Sequence, residues 1–150
     1  MIRDDIKASL VQAMKAKEAE RVGTLRLIQA AIKNRDIEAR TGSAPADDDL
    51  LVIEVLQKMA KQRRESIEMF EAGGRAELAA AEQAELAVIE DFLPTQMGEG
   101  EAAQAIGAIV AELGASSMKD MGAVMAEVKS RLAGRFDLAR ASALVKAALS

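Results

Sequence analysis

Between Lys58 and Pro94 the chain reads KMAKQRRESIEMFEAGGRAELAAAEQAELAVIEDFLP: two runs of strong helix formers, parted by Gly73-Gly74 and stopped by Pro94. Alanine, leucine, methionine, glutamate, lysine and arginine lose little on entering a helix, whereas the residues favoured in strands are nearly missing from this stretch. Glycine accepts the left-handed position that ends a helix, and proline has no N–H with which to continue one. A chain with this hairpin at its centre must be built from packed helices. The rest shares the bias: half of the 150 residues are hydrophobic and the only aromatics are Phe70, Phe92 and Phe136. The fold expected is all-α.

Periodicity and caps predict seven helices. The first, over 3–17, turns Ile6, Leu10 and Met14 inward, and the second, over 20–40, does so with Leu25, Ile28 and Ile32. A third over 48–71, opened by the aspartates after Pro45, would bury Ile53, Leu56, Ala60, Ile67 and Phe70. The fourth, over 76–92, sets Leu78, Leu86, Ile89 and Leu93 on one stripe. Pro94, Gly98 and Gly100 then mark 94–100 as a hinge, separating an N-terminal helical domain of about four helices (1–93) from a C-terminal three-helix domain (101–150). In the latter, Ala102, Ile106, Ile109 and Leu113 line one helix closed by Gly114. Ser117-x-x-Asp120 resembles a capping box. Met118, Met121, Met125, Val128 and Leu132 form a core stripe, and Leu138, Ala141, Val145 and Leu149 face inward on the last helix.

The absences narrow function. The chain has no Cys, His, Tyr or Trp. That removes thiolate chemistry, the commonest general base and transition-metal ligand, and the usual platforms for stacking bases. No catalytic residue, metal ligand or cofactor is assigned. No apolar run reaches the ~20 residues that span a bilayer, and MIRDDIK lacks the apolar core of a signal peptide, so a cytoplasmic protein without membrane association is expected.

Net charge is −4, yet residues 1–40 hold nine Lys/Arg against six Asp/Glu, and residues 119–150 hold six against three. On the second helix Arg26, Lys33 and Arg40 recur every seven residues, which places them within about 40° of one another. Such a row suits a phosphate backbone, an acidic partner or plain solvent. In the third helix Lys61–Glu65 and Arg64–Glu68 stand at the i,i+4 spacing of local ion pairs. Arg63 and Glu82 fall instead on apolar stripes of successive helices, which predicts a structural pair between them. In the C-terminal segment Lys119, Lys129, Arg131, Arg135, Arg140 and Lys146 form a basic set.

With GTLRLIQAAIK upstream and KDMGAVM downstream, the central hairpin resembles the GatB/YqeY family, over about 21–149. The family's R-x-x-T-L-R pattern and later Lys match Arg21, Thr24, Leu25, Arg26 and Lys33, which adds Arg21 to the possible partner face. The resemblance implies an all-α protein whose C-terminal part looks like the tail domain of the B subunit of aspartyl/glutamyl-tRNA amidotransferases, a domain understood to engage tRNA. The implied role is non-catalytic binding of tRNA or other structured RNA through the C-terminal basic set, with amidotransferase or synthetase proteins as possible partners. Two alternatives are carbon–nitrogen ligase activity with glutamine as amido donor, exerted only in concert with amidotransferase subunits, and a protein–protein scaffold using the basic helix face.

Overall fold

The computed structural model describes residues 1–150 as seven α-helices and one 3₁₀ turn, without strands. In chain order these are α1 (Ile2–Lys15), α2 (Ala19–Ala39), α3 (Asp48–Ala72), α4 (Ala76–Glu90), α5 (Glu99–Leu113), the 3₁₀ turn (Met118–Asp120), α6 (Met121–Leu132) and α7 (Leu138–Leu149). They gather into two compact units, Met1–Leu93 and Pro94–Ser150.

In the first unit α1 and α3 each stop at a left-handed residue. Lys17 takes a left-handed conformation (φ 59°), and Glu18 N–H returns to the Ala13 carbonyl at 3.0 Å, closing α1. Gly74 (φ 71°) does the same after α3, with Arg75 N–H reaching the Phe70 carbonyl at 2.8 Å. Both are the wide turn that satisfies orphaned carbonyls at a helix end, but only the second uses the residue that adopts it without a Cβ penalty. The Asp47 carboxylate caps α3 by accepting the Asp49 N–H at 3.0 Å. Along α3 the buried apolar residues are Leu51, Val52, Val55, Leu56, Met59, Ala60 and Ile67. They meet Leu25, Ile28 and Ile32 of α2 and Ala79, Leu86 and Ile89 of α4 in one core.

Several residues expected inside lie elsewhere. Met14 is 52% exposed and Leu78 43%, while their neighbours Ala13 and Ala79 take the buried places. Reading a stripe by side-chain size favours the large residue, whereas helices that approach closely select the small one. Ile53 and Phe70 pack only at the core margin.

The second unit closes α5, α6 and α7 around Ala102, Ile106, Ile109, Val124, Val128, Leu132, Phe136, Ala141, Val145 and Leu149. The methionine stripe is not its centre. Met121 and Met125 sit at the margin, Met118 and Leu113 are each 47% exposed, and Val124 with Val128 occupies the interior. Asp120 reaches back to the backbone N–H groups of Ser116 (3.0 Å) and Ser117 (3.3 Å), the carboxylate half of a capping box. Asp137 caps α7 through the Ala139 N–H.

The stretch expected to be a hinge, 94–100, is built into this unit. Met97 N–H donates to the Arg135 carbonyl at 2.8 Å, and the Gln96 amide donates to the carbonyls of Gly134 (2.6 Å) and Pro94 (2.8 Å). Glu99 and Gly100 already belong to α5. Proline and glycine signal the end of a helix, but do not say whether the following backbone finds partners.

Candidate nucleic-acid interface

Six cations of the second unit were expected to act together, and the fold divides them. The Arg131 Nε donates to Glu127 at 2.7 Å and its Nη2 to Glu112 at 2.6 Å. The Glu112 hydrogen bond pushes the guanidinium further up and is itself the chief cause that holds Glu112 below the usual carboxylate range. Arg135 donates through Nε to the Thr95 carbonyl at 3.2 Å, fastening the segment that leads into α5. Arg140 lies 3.4 Å from Glu99 and 5.0 Å above the centre of the Phe136 ring, within cation–π range. Lys119, Lys129 and Lys146 are exposed and take part in no ion pair.

The acids that engage Arg131 and Arg140 from α5 stand outside the 119–150 segment. Counted over the whole unit, 94–150, six Lys/Arg face six Asp/Glu. The basic excess is thus a property of the window chosen, and the missing signal was the helix assignment that brings α5 beside α6 and α7.

The face proposed on α2 divides too. Arg26, Lys33 and Arg40 are exposed and free of ion pairs. Arg21 is not, since it is only about one-third exposed and pairs with Asp91 at 3.2 Å.

Arg63 joins α3 to α4 as its position on an apolar stripe implied, but its principal partner differs. Its Nε donates to Glu85 at 2.7 Å and lies 3.4 Å from Glu82. The Glu82 Oε2 is buried and accepts no hydrogen bond. One turn of helix separates the two glutamates, and the shorter path goes to Glu85. Arg64 reaches Glu90 of α4 at 3.7 Å, so it serves the same helix pair rather than the local contact with Glu68.

Sequence reasoning missed one cluster altogether. The Arg3 guanidinium grips Asp48 through Nε (3.2 Å) and Nη2 (2.8 Å), and Asp36 through Nη1 (2.8 Å) and Nη2 (3.0 Å). The Ile2 N–H donates to Asp49 at 2.9 Å. One side chain thereby ties the start of α1 to the end of α2 and the start of α3. The hydrogen bonds from Arg3 are the main cause that keeps both carboxyls below their ordinary range and raises the guanidinium. Asp48 read as a cap, and nothing in the linear chain links it to Arg3.

Seven α-helices in two compact units, tied internally by paired arginines, define an all-α protein. No helix is long and apolar enough to cross a membrane. The chain belongs to the YqeY-like protein family, whose family model matches residues 3–149. Among its relatives, the Altered inheritance of mitochondria protein 41, mitochondrial, of Pyrenophora tritici-repentis is 32% identical over 133 residues, covering 87% of this chain and 70% of that protein. The protein of the same name from Eremothecium gossypii is 35% identical over 103 residues, 67% of this chain and 55% of its own length. An uncharacterised protein of Schizosaccharomyces pombe is 32% identical over 89 residues, 59% of this chain and 69% of that protein. The match thus spans little more than half of the Eremothecium relative.

Proposed function

We propose that the chain is a non-catalytic binding protein whose partner is structured RNA of the tRNA type, contacted through the second unit. One observation supports this most: Lys119, Lys129 and Lys146 stay exposed and unpaired while the arginines around them are engaged by the protein itself. Lysine ammonium groups free of carboxylates are available to phosphates, and phosphate contacts carry most of the affinity of sequence-independent recognition. The earlier likeness of this part to the tail domain of amidotransferase B subunits points the same way and makes an accessory role beside a tRNA-modifying enzyme part of the reading. A cytoplasmic location is likewise part of the proposal, the mitochondrial designation being that of the fungal relatives.

Three lysine contacts imply a log–log salt slope of roughly −2 to −3. Fluorescence anisotropy with labelled tRNA should show this slope, and K119E/K129E/K146E should weaken binding by at least about tenfold at physiological salt. Unchanged affinity in the triple variant, or equal affinity for tRNA and duplex DNA of the same charge, sinks the reading.

A further inference from the structure

The outward face of α2 carries more than its three cations. Gly23, Leu27, Ala30, Asn34 and Ile37 follow one another at spacings of four and three, and all five are exposed. Leu27 is 48% open to solvent and Ile37 49%. At 100° per residue the five occupy an arc of about 80°, opposite the buried Leu25, Ile28 and Ile32. This is the heptad seam by which one helix receives another, with a single polar Asn of the kind that fixes register. Arg26, Lys33 and Arg40 run along one edge of it, each at the flanking heptad position whose charge selects a partner.

Gly23 strengthens the reading independently. A Cβ built there meets nothing within 4 Å, so the chain's own packing does not call for glycine inside this helix. Glycine is a poor helix residue, and its use at an outward seam position fits the close approach of a second backbone. Beyond the opposite edge, α2 and α3 leave an open cavity of about 430 Å³ lined in part by Asn34, Glu38, Lys58 and Gln62, room for a visitor's side chains.

We propose that this face docks an acidic amphipathic helix of another protein, its apolar stripe seated on Leu27, Ala30 and Ile37 and its carboxylates alongside Arg26, Lys33 and Arg40. Charge complementarity selects that occupant. Pairing with a second copy in antiparallel order would bring the cationic row against itself. In parallel order it would offer the row Ala31 and Glu38, one carboxylate for three cations. RNA phosphates have no use for the apolar seam. The proposal is independent of the RNA reading, which concerns the second unit.

The chain lacks Trp, so a synthetic helical peptide of about 24 residues carrying one Trp, with Leu at the seam positions and Glu beside them, reports binding by its own fluorescence. The full-length protein should bind it saturably, and the same peptide with Lys for Glu should bind at least about tenfold more weakly. L27Q/I37Q should lose binding by a similar factor, while circular dichroism stays that of the parent because both side chains are exposed. G23L, placed in open space, should keep helix content and weaken the complex. The proposal is overturned if the acidic and basic peptides bind alike, if none binds, or if L27Q/I37Q binds as tightly as the parent. It is overturned equally if R26E/K33E loses tRNA and keeps the peptide, since the row is then an RNA face.

Discussion

The two units use arginine differently. In the first, Arg3 and Arg63 lie between helices and hold them together, Arg3 across the ends of α1, α2 and α3 and Arg63 across α3 and α4. The Arg63 side chain is only 18% exposed. In the second, Arg131 and Arg140 pair with glutamates in open solvent, at 42% and 54% side-chain exposure. The same residue type, with carboxylate partners at similar distance, is a structural tie in one setting and a neutralised surface group in the other. Burial sets Arg63 apart, because water and salt screen an exposed pair while a withdrawn guanidinium has no other place to find its hydrogen bonds. Arg3, with its side chain 36% exposed, stands between the two cases.

The comparison is most exposed to failure at Arg63. Replacing it with Ala leaves Glu82 and Glu85 facing each other without a cation, and should cost roughly 2–4 kcal/mol in urea denaturation. Glu85→Ala should cost more than Glu82→Ala, reflecting the shorter contact. The reverse order would return Glu82 to the central place that its position on the stripe suggested. A loss below about 0.5 kcal/mol for Arg63→Ala would mean that the pair is screened like those of the second unit.

Arg3 is the intermediate case, and pH separates it from the others. Because Asp36 and Asp48 are lowered in the folded protein, their contribution is fully present above the unfolded carboxyl value of about 3.9 and is lost as pH falls through the folded values. Arg3→Gln should therefore destabilise by about 1 kcal/mol near pH 7, and the gap from the parent should narrow below about pH 4. A gap independent of pH would assign the loss to packing of the arginine stem.

A smaller effect is expected at the turns. The second unit gives its left-handed positions to Gly114 and Gly134, whereas the first places Lys17 there after α1. Lys17→Gly removes the Cβ conflict at the price of a freer unfolded chain, so a gain of about 0.5 kcal/mol is expected by thermal denaturation. Any loss would show that the Lys17 side chain makes a compensating contact. Least of all should follow from Arg131→Gln, which ought to leave the melting temperature within experimental scatter while the pairs of the first unit respond as described. A clear drop would erase the distinction between the units.

How far the sequence could be read follows from the same contrast. All seven helices are legible because caps, glycines and 3.6-residue periodicity are local. The buried Leu25, Ile28, Ile32, Leu56, Ile89 and Val145 could be named for that reason. Arg63 betrayed itself as a charge on an apolar stripe, although the choice of Glu85 over Glu82 depends on how α3 and α4 rotate against each other. Arg3 with Asp36 and Asp48, and Arg131 with Glu112, join residues on helices whose neighbours the linear chain does not reveal. The α2 seam was half legible: the recurrence of cations every seven residues could be seen, but Leu27 and Ile37 count as interface only once the opposite face is known to be buried.

The bonds from Gln96 and Met97 to the turn at Gly134–Arg135 have a mechanical consequence. Tension arriving along the chain from Leu93 meets these bonds before it reaches Ile106 or Val128. Hydrogen bonds worth about 1 kcal/mol each are weaker than the apolar burial behind them, so they open before the hydrophobic interior does and re-form when the load is released. Residues 94–97 would then serve as a fuse, lengthening the tether by a few residues under load while the second unit keeps its fold.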